Sequence, residues 1–346
     1  MVTLNDKVSV IIPTFNRSEL LKKAVGSLEK QSHQNLEIII IDDFSTDDTE
    51  AVVAEMTDDR IIYLKHEVNK GGSEARNTGL RKATGNFIGF LDSDDQWLPE
   101  KIEMQLEKFN DEPDVGVVYT GVQVVDENNQ PTRKIIPEYR GDILSKLLEF
   151  NYIDTTSSVL VRKEVLDQIE GFDAKLPSCQ DWDLYIRLAQ VTKFDFVKES
   201  MVLFYHHSGE RITTNKTSVL NGHLSIFEKY KELAMQQRKS TFHRFTLTIW
   251  KVVFRTGIIG QNKEVVQLSR KILIEGFKND RVSLNFLFYY LSTFLHMKIL
   301  TYLYRRSKKI KNPSCSLQMH LPSRVEGSGV SKKRIINKGM RLWKSI

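Results

Sequence analysis

The sequence predicts an α/β fold, a mixed and mostly parallel sheet flanked by helices, with a helical, basic C-terminal region behind it. Short β-branched runs alternate with helix-period segments over the first 120 residues. Acidic clusters stand immediately after two of those runs, and from about residue 223 the pattern turns wholly helical. Strand alternating with helix argues for parallel pairing, because a crossover helix returns the chain to the same edge of the sheet.

The elements follow in order. The run 8–12 is β-branched and stops at Pro13, which reads as a buried strand. Ser18 is expected to be an N-cap, with Leu20, Leu21, Ala24, Val25 and Leu28 at helical spacing after it. The run 36–41 is a second buried strand ending in Asp42-Asp43, after which Ser45 and Asp48 resemble a capping box. A third strand is expected over 61–64, a helix over 72–82 and a fourth strand over 87–91 that delivers Asp92-Ser93-Asp94-Asp95. Pro99 suits the first turn of the next helix, and 115–119 is a fifth strand. Residues 121–210 are less regular, with a helix expected near 142–150, a strand near 157–162 and a helix from Asp181 to Ala189. The division expected is 1–235 for the α/β domain, 236–311 for a helical region and 312–346 for a basic, flexible tail.

Composition narrows the function. With 40% hydrophobic and 27% charged residues among 346, the chain has the balance of a core-forming soluble protein, which excludes global disorder, collagen and a multi-span membrane protein. Two cysteines, Cys179 and Cys315, are too few for a disulfide framework or a thiolate zinc site and suit a reducing cytosol. The opening residues show no basic stretch followed by a long apolar one, so no secretory signal is expected. The net charge of +6 conceals a split. Residues 241–346 carry 21 Lys and Arg against 4 Asp and Glu, a net of +17, which leaves −11 for the first 240. A basic region of this kind meets either nucleic acid or an anionic membrane surface.

Two acidic clusters carry the chemistry. In parallel sheets ligands bind at the carboxyl ends of strands, near a reversal of strand order. Carboxylates at alternate positions after the strand 87–91 can share a pocket and hold a hard divalent cation, Mg or Mn, which prefers oxygen ligands together with substrate phosphates; the plain alternative is an acidic surface turn. Asp42 reads best as an Asx turn. Asp43 reads as functional, a carboxylate placed to accept hydrogen bonds from a ribose hydroxyl or a base.

VSVIIPTFNRSELLKKAVGSLEKQ, IIIIDDFSTDDT, NKGGSEARNTGLRKATGNFIGFLDSDDQWLPEKI and, further on, GFDAKLPSCQDWDLYIRL together resemble family 2 glycosyltransferases of the GT-A fold, a Rossmann-like architecture; FYHHSGERITT extends the likeness more weakly, to about residue 215. The resemblance implies a nucleotide-sugar donor, most often a UDP-sugar, with Mg or Mn. It implies that Pro13, Thr14, Asn16 and Arg17 line the nucleotide, that Asp43 contacts the base and that Arg76 lies near the diphosphate. Asp92 and Asp94 match the DxD pair, Asp92 towards ribose or metal and Asp94 as a direct metal ligand, with Ser93 on the nucleotide-sugar side and Asp95 behind the pair. Asp181 matches the general base, and Gln180 stands where the family often has Glu. His207 matches a histidine near the metal and diphosphate, with His206 as the competing alignment.

The physics of the reaction points the same way. A leaving diphosphate gathers negative charge, which a cation and Arg76 would stabilise. With one base and no evident enzyme nucleophile, direct displacement with inversion is the simplest scheme. The acceptor implied is a glycan or lipid-linked glycan in bacterial surface polysaccharide assembly. Residues 282–304 hold seven aromatic residues, one Lys, one His and no acid, and RRSKKIK follows at 305–311. That pattern is expected to lie on an anionic membrane surface, placing the protein in the cytoplasm at the inner face of the membrane; the plain alternative is a buried helical hairpin with a solvated basic end. Among rival readings, a sugar nucleotidyltransferase would want a Gly-rich phosphate loop where PTFNRS stands. A non-catalytic nucleotide-sugar or glycan binder remains open. No nucleic-acid partner is expected, because no aromatic–basic recognition motif accompanies the basic tail. Trp97 reads as packing, Trp182 as packing or an acceptor platform, Asp183 and Arg187 as a helix pair, and Cys179 as a small buried residue.

Overall fold

The apolar runs of the first half become central strands. In the computed structural model, which describes residues 6–126, 128–205, 215–277, 289–291 and 293–294, β1 (Val8–Thr14) and β2 (Leu36–Asp42) are almost wholly buried along their length. A strand buried on both faces has no solvent side, which is why each reads as a continuous apolar run. The chain divides into two compact units, Met1–Thr241 and Phe242–Ile346.

In the first unit, α1 (Ser18–Leu28), α2 (Thr49–Ala54), β3 (Ile61–Lys65) and α3 (Gly72–Lys82) alternate with the first strands. They are followed by β4 (Phe87–Phe90), β5 (Asp95–Trp97), α4 (Lys101–Asp111), β6 (Val115–Val125) and β7 (Pro131–Ile135). Next come α5 (Leu144–Glu149), a 3₁₀ turn at Thr156–Ser158, β8 (Val159–Arg162), α6 (Lys163–Gln168), α7 (Gln180–Leu188), β9 (Lys193–Tyr205) and α8 (Lys216–Gln236). The strands form one sheet in the order β3-β2-β1-β4-β8-β6-β9-β5, with β7 beside β6. β3, β2, β1 and β4 run parallel, β8 is antiparallel to both of its neighbours, and β6 and β9 are parallel to each other. The sheet is therefore mixed and mostly parallel.

Strand order positions the site. The chain runs outward from β1 through β2 to β3 and then returns to place β4 on the other side of β1. That reversal is where an open α/β sheet presents its ligand crevice. Thr14 stands opposite Asp42 in register, Asp43 N–H donates to Thr14 O (2.8 Å), and Leu91 N–H donates to Ile11 O (3.0 Å). Asp43 and the 92–95 turn thus leave the same edge of the sheet.

Two expected helix starts form differently. Ser18 lies inside α1, Arg17 takes the cap position, and the Ser18 N–H donates to Asp47 Oδ2 (3.3 Å). No Ser45–Asp48 box forms: Ser45 N–H donates to Asp42 Oδ1 (2.7 Å), while Asp47 Oδ1 accepts from Thr49 N–H (3.1 Å) and from its hydroxyl (2.5 Å). One carboxylate between two helix starts serves both, and the Asx turn expected at Asp42 takes the backbone that the box would have used. Three strands escape the sequence patterns. β5 has three residues, too few for a period, β7 is a mostly exposed polar edge, and β9 shifts register where it passes Gly121.

In the second unit α9 (Lys239–Ile259), which begins three residues before it, and α10 (Lys263–Phe277) pack around Phe245, Ile249, Trp250, Val253 and Leu273, all 0% exposed. Glycines let them approach: a Cβ on Gly276 would lie 2.3 Å from Thr246 and one on Gly257 2.8 Å from Val266. Among the described residues no helix is long and apolar enough to cross a membrane. Most of 282–311 and all of 312–346 lie outside the described residues.

Candidate active site

One edge of the candidate site is built by the ends of β1 and β2. Pro13 is half-buried and Thr14 buried in β1, and the Thr14 hydroxyl has no hydrogen-bond partner among the described residues. Asn16 turns the chain with φ 52°. Its N–H donates to Ser45 Oγ (2.9 Å) and its Oδ1 accepts from Thr46 N–H (2.8 Å), so the loops after the two strands are tied together. Asp43 is 4% exposed, and its carboxylate meets His66 Nδ1 (2.8 Å) and accepts from Lys70 N–H (2.8 Å) and Gly71 N–H (2.7 Å). A carboxylate can accept several hydrogen bonds at once, and the two from Lys70 and Gly71 shape the turn that opens α3.

That turn aims α3, and with it Arg76. The Arg76 guanidinium is ion-paired with Asp92 and lies 5.5 Å from the Phe172 ring, while its buried Nε has no hydrogen-bond partner among the described residues. One turn of chain away, Arg17 Nη1 donates to Asp94 Oδ2 (3.0 Å). Asp92 thus faces an arginine of α3 and Asp94 the arginine that caps α1. Asp92 also meets the Thr156 hydroxyl (3.3 Å), and its N–H donates to Ser157 Oγ (3.1 Å). Asp95 lies behind, 1% exposed, accepting from Ser157 Oγ (2.6 Å). Ser93 is buried in the same turn.

Asp181 stands in the first turn of α7, where Asn151 Nδ2 donates to its Oδ2 (2.9 Å). Burial pushes the Asp181 carboxyl above the usual carboxylate range. The Trp182 N–H, the Asn151 amide and the charge of Arg76 act against that push without cancelling it. Arg76 is thus paired with Asp92, and its charge is the smallest of the named influences on Asp181.

Comparison with known proteins follows this geometry. The model of glycosyl transferase family 2 matches residues 9–170. An uncharacterized glycosyltransferase of Methanocaldococcus jannaschii is 30% identical over 203 residues, 57% of this chain and 70% of that protein. The chain belongs to glycosyl transferase family 2. It is also 36% identical over 131 residues to the Escherichia coli UDP-Glc:alpha-D-GlcNAc-diphosphoundecaprenol beta-1,3-glucosyltransferase WfgD, a match covering 38% of this chain and about half, 51%, of that relative. Among solved structures, S. aureus TarS 1–349 in complex with UDP-GlcNAc aligns at TM-score 0.58 and 18% identity, covering 87% of this chain and 92% of that one. The mannosyltransferase PcManGT of Pyrobaculum calidifontis, in complex with GDP-Man and Mn2+, aligns at TM-score 0.53 and 18% identity, covering 86% and 83%. The fold is that of GT-A glycosyltransferases, and the protein is a glycosyltransferase enzyme.

In this family 2 enzyme the donor set suits a divalent cation. Asp92 and Asp94 would offer it oxygen ligands from one turn, with side chains 27% and 12% exposed. Among the described residues no group of three His, Cys, Asp or Glu forms a closed cage. Two carboxylates completed by phosphate oxygens is how Mg commonly binds. His207 lies outside the described residues.

Three residues of the site went unread in the sequence: Asn151, Thr156 and Ser157. The polar run 155–158, buried ahead of the apolar β8, was the available signal. The plain readings of other marked residues hold. Trp97 and Trp182 are each 3% exposed, and their indole N–H groups donate to Ser157 O (2.8 Å) and Leu147 O (2.6 Å); Trp182 is therefore packing and not an acceptor platform. Asp183 pairs with Arg187 (2.8 Å) and also with Lys229 (2.7 Å) and the Tyr230 hydroxyl (2.6 Å), which fastens α8 to the helix carrying Asp181. The Gln180 side chain folds back to Leu176 O (3.0 Å). Cys179 has a histidine neighbour after all, with Sγ 3.4 Å from His223 Nδ1. Burial holds both neutral, the thiol pushed up to about 12 and the imidazole down, so the pair is no nucleophile.

Proposed function

We propose that this glycosyltransferase moves a sugar from a UDP-sugar to a glycan or lipid-linked glycan acceptor, with inversion at the anomeric carbon. The observation that carries the reading is that two Arg–Asp pairs follow strands at the reversal of strand order and that the charge of one of those arginines, Arg76, reaches a desolvated Asp181. Diphosphate recognition is supported by Arg17 and Arg76 and by two buried donors with no hydrogen-bond partner among the described residues, Thr14 Oγ1 and Arg76 Nε. Buried donors are almost always bonded, so these two mark where ligand oxygens belong. Pro13, Asn16, Asp43 and Ser93 complete the nucleotide side.

Asp181 takes the proton of an acceptor hydroxyl as that oxygen bonds to the anomeric carbon. The sugar–phosphate C–O bond breaks on the opposite face, and its electron pair leaves with the diphosphate towards Arg76. Asp92 and Asp94 would hold Mg or Mn, which would supply further neutralisation of the leaving charge. Asn151 orients the base.

The WfgD relative supports a UDP-linked donor and a sugar-diphospho-lipid acceptor, and the family resemblance adds a place in bacterial surface polysaccharide synthesis. A membrane-borne acceptor fits the basic, aromatic segment 282–311 resting on the inner membrane surface from the cytoplasmic side. Thermal-shift screening of nucleotide sugars with and without Mn is the test. UDP or a UDP-sugar is expected to stabilise the protein only with metal, and Asp94→Ala to abolish the effect; stabilisation independent of metal in both proteins would overturn the metal site.

A further inference from the structure

Asn151 has a neighbourhood of its own. The rings of Phe150 and Tyr152, on either side of it in sequence, lie 5.4 Å apart at 73°, and Tyr139 packs 4.7 Å from Tyr152 at 59°. All three are half-buried, whereas the aromatic residues nearest the base on α7, Trp182 and Tyr185, are 3% and 0% exposed. Among the described residues, the rings on either side of Asn151, which touches Asp181, are half-buried and meet solvent. They are also fixed. The Tyr119 hydroxyl donates to Tyr139 O (2.6 Å) and accepts from Tyr139 N–H (3.2 Å), Gly141 bridges to Phe194, and Tyr139 shares a side-chain hydrogen bond with Tyr152. The Asn151 side chain, held between the rings in sequence, grips Asp181 (2.9 Å), and the same connection runs on to Thr156 and Ser157, which hold Asp92.

We propose that Tyr139, Phe150 and Tyr152 form the stacking platform of the acceptor subsite, receiving the apolar face of a pyranose ring whose hydroxyl is presented to Asp181. The inference rests on the function proposed above and adds the acceptor's chemical class and the residues that choose it. A rigid, half-exposed aromatic surface offers large contact at little conformational cost, and its hydroxyls give a polar rim. A sugar ring, apolar on its faces and polar at its edge, matches that pattern. Because Asn151 belongs to the platform segment and also touches the base, a ring seated there is set in register with the proton acceptor. Lys146, 5.5 Å from the Tyr139 ring and paired with Glu149 (3.6 Å), adds a cation at the margin.

Saturation-transfer NMR on the full-length protein with Mg and UDP tests this, using the methyl pyranosides of glucose, galactose, mannose and N-acetylglucosamine. At least one is expected to bind the wild type. Its affinity should fall about tenfold in Tyr152→Ala and Tyr139→Ala and stay within about threefold in Tyr152→Phe, as stacking energies predict. Tyr152→Leu keeps apolar bulk without the π face and serves if the alanine variants fold poorly; it too should bind weakly. Equal binding by wild type and variants, or binding of no pyranoside, would overturn the platform. The thermal shift with UDP separates the two ideas: its loss in wild type strikes the donor reading, and its persistence with unchanged pyranoside contacts strikes the platform alone.

Discussion

As the proposed base, Asp181 would work only when ionised, and its environment sets the pH at which that happens. Burial favours the neutral acid, so the acid limb of the pH–rate profile is expected above the ordinary aspartate range of about 4. Activity falls as pH drops through that limb, because protons then occupy the base. Asn151→Ala removes a hydrogen bond to the charged form and should move the limb to still higher pH. Asp181→Asn should lower kcat by about 10²–10⁴-fold and erase the limb while UDP still stabilises the protein. A rate profile of the three proteins checks all of this. Asp43, Asp92 and Asp94 were legible as candidates because they follow buried strands, and Asp181 only through the likeness of its segment to family 2. Asn151 was not, because an amide in an irregular connection gains meaning only from the carboxylate it meets.

At the scale of elements, close packing fixes where the acids emerge. Gly79 of α3 lies against β1, and a Cβ there would sit 2.4 Å from Ile11 Cγ2. Gly79→Ala gains roughly 1 kcal/mol of helix propensity but forces an overpacking cost of about 1–3 kcal/mol, so the melting temperature should fall by a few degrees. Gly89 of β4 meets Trp97 in the same way, at 2.6 Å. Lys101, the first residue of α4, is 0% exposed, with Nζ 2.7 Å from Gln105 Oε1 and 3.7 Å from the centre of the Trp97 ring. Burial pushes its amine well below the usual lysine range. The unfolded chain then binds a proton that the folded chain lacks, so stability rises with pH towards the ordinary lysine pKa and is least at lower pH. Lys101→Met should raise the melting temperature at pH 7 and flatten its pH dependence between about pH 7 and 10, as read by calorimetry. The helix 18–28 was legible because Leu21, Ala24, Val25 and Leu28 recur at helical spacing and are buried, whereas β7 and β9 were missed because sheet neighbours, not periodicity, make them strands.

The whole molecule carries its charge asymmetrically, −11 before residue 241 and +17 from there on. Full-length protein is expected to float with anionic vesicles at low salt, to be released by about 0.5 M salt and to leave neutral vesicles alone, since each basic residue near such a surface contributes about 1 kcal/mol that salt screens. Equal flotation with both vesicle types would remove the electrostatic anchor. The sequence by itself determined the fold class, the address of the two acidic clusters and the charge split, because hydrophobic period, strand-end position and composition are properties of the chain read locally. Only the tertiary structure decided that Arg17 and Arg76 face the DxD acids, that Asn151 holds Asp181 and that Trp182 is core. Each of those facts is a contact between segments far apart in sequence, and such contacts follow from strand order and packing, which no local pattern encodes.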